Sequence, residues 1–186
     1  MRTLRTARRI VSLSIVAGVL ITGVGTAAPA GADTLRVHDP NESGTLADTH
    51  GLTVVHTKKA NGTRGTVTVR VRAGSVLHED FFDLWIDTPK AGRNFYARIR
   101  PETEYGAVHL VRGWASTGPV ACRRWEARSL EGRNEVVVFK IPRTCLGSPQ
   151  RVRVSERSSY AFAARVVRDW VPAKRTFTAW VRASAS

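Results

Sequence analysis

Cysteine, methionine, acidic residues and long apolar stretches are all scarce in this chain. Of its 186 residues two are cysteine and one is methionine, and Asp plus Glu reach only 15 against 29 Lys plus Arg. Two cysteines exclude a knottin-type scaffold stapled by several bridges. The one long apolar run lies near the start, which excludes a polytopic membrane protein. The absence of a Gly-X-Y period or a sustained heptad excludes collagen and coiled coil. What is present, 42% hydrophobic and 24% charged residues, is the composition of a globular protein rather than a disordered one. The length suits a single domain with a core of its own.

The first 32 residues read as an export leader. Arg2, Arg5, Arg8 and Arg9 form a basic start without an acid. Ile10 to Val24 is then apolar apart from Ser12, Ser14 and Thr22, and small residues end in Ala30-Gly31-Ala32 before Asp33. Basic segment, short apolar segment and A-x-A site together are the secretory layout, and the run is shorter than the roughly 20 residues of a spanning helix. Residues 33–186 are therefore expected to be one secreted domain with no transmembrane segment after cleavage. Without the four leader arginines the formal charge falls from +14 to about +10. Such a surface attracts polyanions by steering and counterion release. Outside the cell an anionic wall polymer is a more natural partner than nucleic acid.

Past the leader the hydrophobic period is two. Thr66-Val67-Thr68-Val69-Arg70-Val71-Arg72 alternates without a break, placing valines on one face of a strand and Thr and Arg on the other. Residues 52–57, 81–87, 94–100, 107–112, 151–155 and 176–181 behave similarly, and 121–130 with 135–141 make a hairpin around Glu131-Gly132-Arg133-Asn134. That gives about nine strands. One-sided alternation with short, evenly spaced strands predicts an all-β, antiparallel sandwich of jelly-roll-like type. Tyr160 to Arg168, Ala-rich and poorly amphipathic, is expected to be an excursion between the last two strands.

In that hairpin paired residue numbers sum to about 265, and Cys122 plus Cys145 sum to 267. The two cysteines are expected to close the open end of the hairpin as a disulfide, with Pro142-Arg143-Thr144 absorbing the offset. A loop of this size closed by a disulfide is worth roughly 3 kcal/mol in the chain-entropy account.

Several phrases resemble a group of secreted actinobacterial proteins: Phe82-Asp83-Leu84-Trp85-Ile86-Asp87-Thr88, Ile141-Pro142-Arg143-Thr144-Cys145-Leu146-Gly147, Val152-Arg153-Val154 and Asp169-Trp170-Val171-Pro172. Those proteins look like β-sandwiches related in shape to carbohydrate-binding and DOMON-type modules. The resemblance implies fold and export and no particular activity.

Candidate chemistry sits on residues 81–87. Alternation puts Phe82, Leu84 and Ile86 on one face and Phe81, Asp83, Trp85 and Asp87 on the other. Trp85 between two carboxylates could stack on a sugar ring while the acids accept from its hydroxyls. Equally, Trp85 could pack under a loop while the acids pair with arginines such as Arg98 and Arg100. Asp83 and Asp87 would stand roughly 13 Å apart along a strand, too far for a glycosidase pair.

Asp39-Pro40-Asn41-Glu42-Ser43-Gly44 opens like a calcium loop, but its twelfth position is His50 instead of Glu. No cofactor is therefore expected, with calcium on an oxygen-rich loop near Asp48 as the one candidate. The five histidines (His38, His50, His56, His78, His109) show no paired metal spacing, and no G-x-S-x-G elbow, P-loop or dinucleotide glycine pattern occurs. No residue is therefore assigned a catalytic role.

Arginines interleave with aromatics in residues 93–100 and 123–128. If Arg70, Arg72, Arg98, Arg100, Arg124 and Arg128 shared one sheet face, it would be a positive platform with stacking rings, suited to anionic glycans or single strands. The alternative is an arginine-rich solvated exterior whose stems cover apolar surface. The expectation is a secreted, non-catalytic binding protein for an anionic or polysaccharide polymer. A hydrolase with a loop-assembled site is the other class.

Overall fold

A computed structural model describes residues 34–39, 48–58, 65–74, 76, 80–90, 94–101, 108–112, 114–130, 135–162 and 165–184. The expected leader, most of the calcium-type loop and the hairpin turn at 131–134 lie outside the described residues.

The described residues form twelve strands and one 3-10 turn. The first five strands are β1 (Thr34–His38), β2 (Thr49–His56), β3 (Thr66–Ala73), β4 (Phe81–Asp87) and β5 (Asn94–Ile99). Then come β6 (Val108–Arg112), β7 (Ala115–Pro119), β8 (Glu126–Leu130) and β9 (Glu135–Pro142), followed by the turn Arg143–Leu146. The last three are β10 (Arg151–Phe162), β11 (Arg165–Val171) and β12 (Val181–Arg182).

All strand pairings are antiparallel, and they build two sheets. Sheet one runs β1-β2-β3-β9-β8; sheet two runs β11-β10-β4-β5-β6-β7, with β12 also on β10. The chain passes from sheet one to sheet two after β3, back after β7, and over again after β9. These crossings give the all-β, jelly-roll-like sandwich that the period of two implied.

The core lies where the two inner faces meet. Sheet one contributes Leu52, Val54, Val67, Val69, Val71, Val137, Phe139 and Ile141, and sheet two contributes Phe82, Leu84, Ile86, Phe95, Ala97, Ile99, Val152 and Val154. The alternation of β3 and β4 thus decides which residues are inside. Each large apolar side chain buried here is worth about 1.5–3 kcal/mol relative to exposure.

The Cys122–Cys145 disulfide is present, with Cα atoms 5.1 Å apart. In the β8–β9 ladder Glu126 faces Lys140 and Leu130 faces Val136, and the 3-10 turn takes up the offset between the end of β9 and Cys145. The Arg143 guanidinium fixes that turn by donating to the carbonyls of Ser148 and Pro149 at 3.2 Å.

Two local expectations change. Tyr160 to Arg168 is no excursion: its described residues, 160–162 and 165–168, pair as two antiparallel strands in which Glu156 faces Val171 and Ser159 faces Arg168. The alternation of β10 was hidden because its inward positions include the polar Glu156 and Ser158. The expected strand over 176–181 shrinks to β12, preceded by a stretch tied to β10 where the Thr178 amide donates to the Val154 carbonyl.

β2 breaks phase between Thr49 and Gly51. Gly51 has φ +148°, and a Cβ there would lie 2.4 Å from the Val37 carbonyl, so this irregularity requires glycine. It turns Thr49 inward, where its hydroxyl donates to Ser158 Oγ at 3.1 Å across the sandwich. Among the described residues no helix is long and apolar enough to cross a membrane.

Candidate functional site

Strand register sorts the candidate residues onto two outer faces. On sheet one, the ladder aligns Arg36, Thr53, Arg70, Val138 and Arg128 in one row. The next row holds His38, Gly51, Arg72, Val136 and Leu130. Arg36, Arg70, Arg72 and Arg128 are exposed, and none forms an ion pair with a described residue. Val138 lies on this same outer side and is nevertheless only 7% exposed. The arginine stems flanking it in register supply cover while their heads stay in water. A shallow groove of about 480 Å³ runs along β1–β3, lined by Arg36, His38, Thr53, Arg70 and Arg72.

On sheet two the pleat places Trp170, Arg157, Asp83 and Arg98 in one row and Ser155, Trp85 and Tyr96 in the next. Asp83 is fully buried. It accepts from Arg98 Nε at 2.6 Å and Arg157 Nε at 3.1 Å, and also from the Tyr96 hydroxyl. Burial first, then the charge of Asp83 and the bond to it, push the Tyr96 phenol far above its ordinary range, so it stays a donor. The hydrogen bond to Asp83 raises Arg98 as well. Asp87 takes Arg153 Nε at 2.6 Å.

Rings interleave with these guanidiniums. Trp85 and Trp170 stack with centroids 5.1 Å apart, and Trp114 meets both edge-on. Phe177 stacks on Trp114 at 5.0 Å. Arg157 lies over Trp85 and Trp170, and Arg153 over Phe177 and Trp180.

The single arginine platform is therefore corrected. Arg98 and Arg100 belong with sheet two, where Arg100 sits 5.5 Å over the Phe81 ring; Arg70, Arg72 and Arg128 belong to the outer face of sheet one. Arg124 precedes β8 in a left-handed conformation, φ 65°. Alternation within a strand does not specify strand order, and the chain changes sheets between β3 and β4 and again between β7 and β8.

Of the two roles open to Asp83, Trp85 and Asp87, the paired and packed one is what the structure shows. They point away from the core as the alternation required, yet Trp85 is only 4% exposed because other rings cover it. Sequence reasoning passed over Trp114, Trp170, Phe177, Trp180, Arg153 and Arg157. Extending the period-two pattern of Arg151, Arg153, Ser155 and Arg157 would have found the arginines.

One carboxyl lies inside. Glu156 sits between Leu84 and Val171 in register on the inner face of β10, fully buried. Burial pushes its carboxyl well above the ordinary range, reinforced by the charges of Asp169 and Asp83 and slightly by that of Asp39, against an opposing pull from the Thr49 hydroxyl. Asp169 is held by the Thr49 amide at 2.8 Å and by the Trp170 amide at 2.7 Å. Buried His56, whose Nδ1 lies 3.2 Å from the Val181 carbonyl oxygen, is lowered chiefly by desolvation. Among the described residues no group of three His, Cys, Asp or Glu side chains is arranged to hold a metal ion.

No known protein family, no curated protein and no solved structure matches this chain.

Proposed function

We propose that the protein is a secreted, non-catalytic binding protein that holds an anionic cell-envelope polymer on the outer face of sheet one. The observation that carries this is the contrast in arginine use. Arg36, Arg70, Arg72 and Arg128 stand on one sheet face without an ion-pair partner among the described residues, and three of them line a groove with His38. The stems of Arg70 and Arg128 cover Val138, but that role needs no charge, and guanidinium heads without an ion pair among the described residues match phosphate or carboxylate geometry well. The rigid ladder beneath spaces the charges two strands apart, roughly 9–10 Å from Arg36 to Arg70 and again to Arg128. An extended polyanion crossing the strands meets them in succession.

The hydrolase reading gains nothing from the same geometry. Asp83 and Asp87 are engaged by arginines, and Glu156 lies in the interior between the sheets.

Retention of the exported protein on a teichoic-acid or heparin column tests the proposal. With three or four charge contacts, affinity should fall about two to three orders of magnitude for each tenfold rise in salt. Replacing Arg36, Arg70 and Arg72 together by Gln should leave at most one contact and flatten the loss to about one order of magnitude or less for each tenfold rise in salt. Salt-insensitive retention, or an unchanged slope in the triple variant, overturns it.

A further inference from the structure

The outer face of sheet two carries a surface of different chemistry from that of sheet one. Four of the five tryptophans stand there, Trp85, Trp114, Trp170 and Trp180, joined by Phe177. These rings are outside the core cluster, and all but Trp85 are half-buried. Contiguous, partly exposed aromatic surface outside the core is a candidate contact surface.

Two observations point to the ligand. Ser155 and Trp85 face each other across β10 and β4, and the Ser155 hydroxyl and Trp85 indole N–H are buried without a hydrogen-bond partner among the described residues. Leaving such groups buried and unmatched is unfavourable, so a ligand bringing hydroxyls is favoured. The charges point the same way. Arg98, Arg153 and Arg157 are committed to Asp83 and Asp87, and Arg151, over the Trp180 ring, has no ion pair among the described residues, so the strip offers an anion less than the row of four arginines on sheet one.

We infer that this strip binds a neutral polysaccharide, whose C–H-rich ring faces stack on Trp114, Trp170 and Phe177 while its hydroxyls reach Ser155 and the Trp85 indole. Hydroxyls both donate and accept, which suits a surface mixing a donor-only indole, a serine hydroxyl and the edge of the Asp87 carboxylate. A proline-rich peptide would stack on the same rings but brings carbonyl acceptors alone. Trp114, on the turn between β6 and β7, meets both Trp85 and Trp170 edge-on, and its ring must tilt for a hydroxyl to reach the buried pair while its face remains a stacking surface. This site stands on different residues from the anionic one, and either can fail without the other.

Titration of the full exported protein with cellohexaose and with the hexamer of N-acetylglucosamine, read by tryptophan fluorescence and calorimetry, tests the inference. A saturable change is expected with at least one sugar, equal at low and high salt and weakened roughly tenfold in Trp114→Ala. Should Trp114→Ala lose its fold by circular dichroism, Ser155→Ala keeps the rings and is expected to weaken binding several-fold. Arg70→Gln should leave sugar affinity unchanged. The inference is overturned if neither sugar binds, or if affinity survives in both strip variants. Loss of sugar binding in Arg70→Gln, or binding of a proline-rich peptide but neither hexamer, also overturns it.

Discussion

The two outer faces of this sandwich use the same residue in opposite ways. On sheet one, Arg36, Arg70, Arg72 and Arg128 project from the ladder with no ion-pair partner among the described residues. On sheet two, Arg98, Arg153 and Arg157 are gripped by Asp83 and Asp87 and laid against rings. The difference comes from β4. Its outward positions put carboxylates and a tryptophan in the middle of sheet two, whereas the outward positions of β3 carry only Thr and Arg. Arginine count therefore says little about a surface until the acids beside it are placed. One face has spent its guanidiniums on its own cohesion; the other keeps them available.

The largest test of that contrast is Asp83→Asn. It leaves a fully buried amide facing two guanidiniums whose side chains are 47% and 21% exposed. Breaking a fully buried pair costs about 3–5 kcal/mol; partial exposure of both arginines should reduce this to roughly 2–3 kcal/mol. Denaturant unfolding measures it. A loss below about 0.5 kcal/mol, the level of an ordinary surface change, would mean that the sheet-two arginines are as independent as those of sheet one.

A second test passes through the sheet to the other side of β10, where Glu156 lies between outward Ser155 and Arg157. Its carboxyl is raised by burial, so the folded state holds a proton that the unfolded chain releases near pH 4.3. The stabilisation this group allows is fully present below that pH and is lost as pH rises toward its folded value. Glu156→Gln, neutral at every pH, should therefore raise stability at neutral pH by about 1–2 kcal/mol and flatten its decline from pH 5 to 8. Melting curves across that range decide. A variant less stable than the parent at pH 7 would show that the carboxylate is wanted in its charged form.

His56 tests the opposite sign. Burial lowers it, so its contribution is present above the ordinary imidazole pKa of about 6.5 and is lost as pH falls below it. His56→Gln should shallow the acid-side loss of melting temperature by a few degrees. An unchanged acid limb refutes this.

How much of this was legible depends on which faces carry a clean alternation. β3 and β4 announce themselves because valines, or Phe, Leu and Ile, repeat at every second position, and the sandwich and its disulfide follow. β10 was cut short at Ser155 because Glu156 and Ser158 occupy inward positions where apolar residues were expected. The pairing with β11 went with it, and Trp170 lost its neighbours. The arginine platform failed for another reason. Arg98 and Arg128 alternate outward on their own strands as expected, but period-two patterns carry no information about which sheet a strand joins. That depends on the crossovers after β3 and β7, which are set by long-range packing.

The smallest expected effect is the one that keeps the two faces apart. Arg70→Gln removes a charge with no ion-pair partner among the described residues and shortens the stem beside Val138, which is 7% exposed. The charge itself should contribute next to nothing to stability. Shortening the stem uncovers some apolar surface, a few tenths of a kcal/mol at about 25 cal/mol per Å². Arg70→Gln should then lower the melting temperature by no more than about 2 °C, with Arg70→Ala slightly lower because the whole stem is lost. Arg70→Lys, which keeps both stem and charge, should match the parent. If Arg70→Gln and Arg70→Lys both destabilise as severely as Asp83→Asn, the row on sheet one is structural. The anionic-polymer proposal would then lose the observation it rests on.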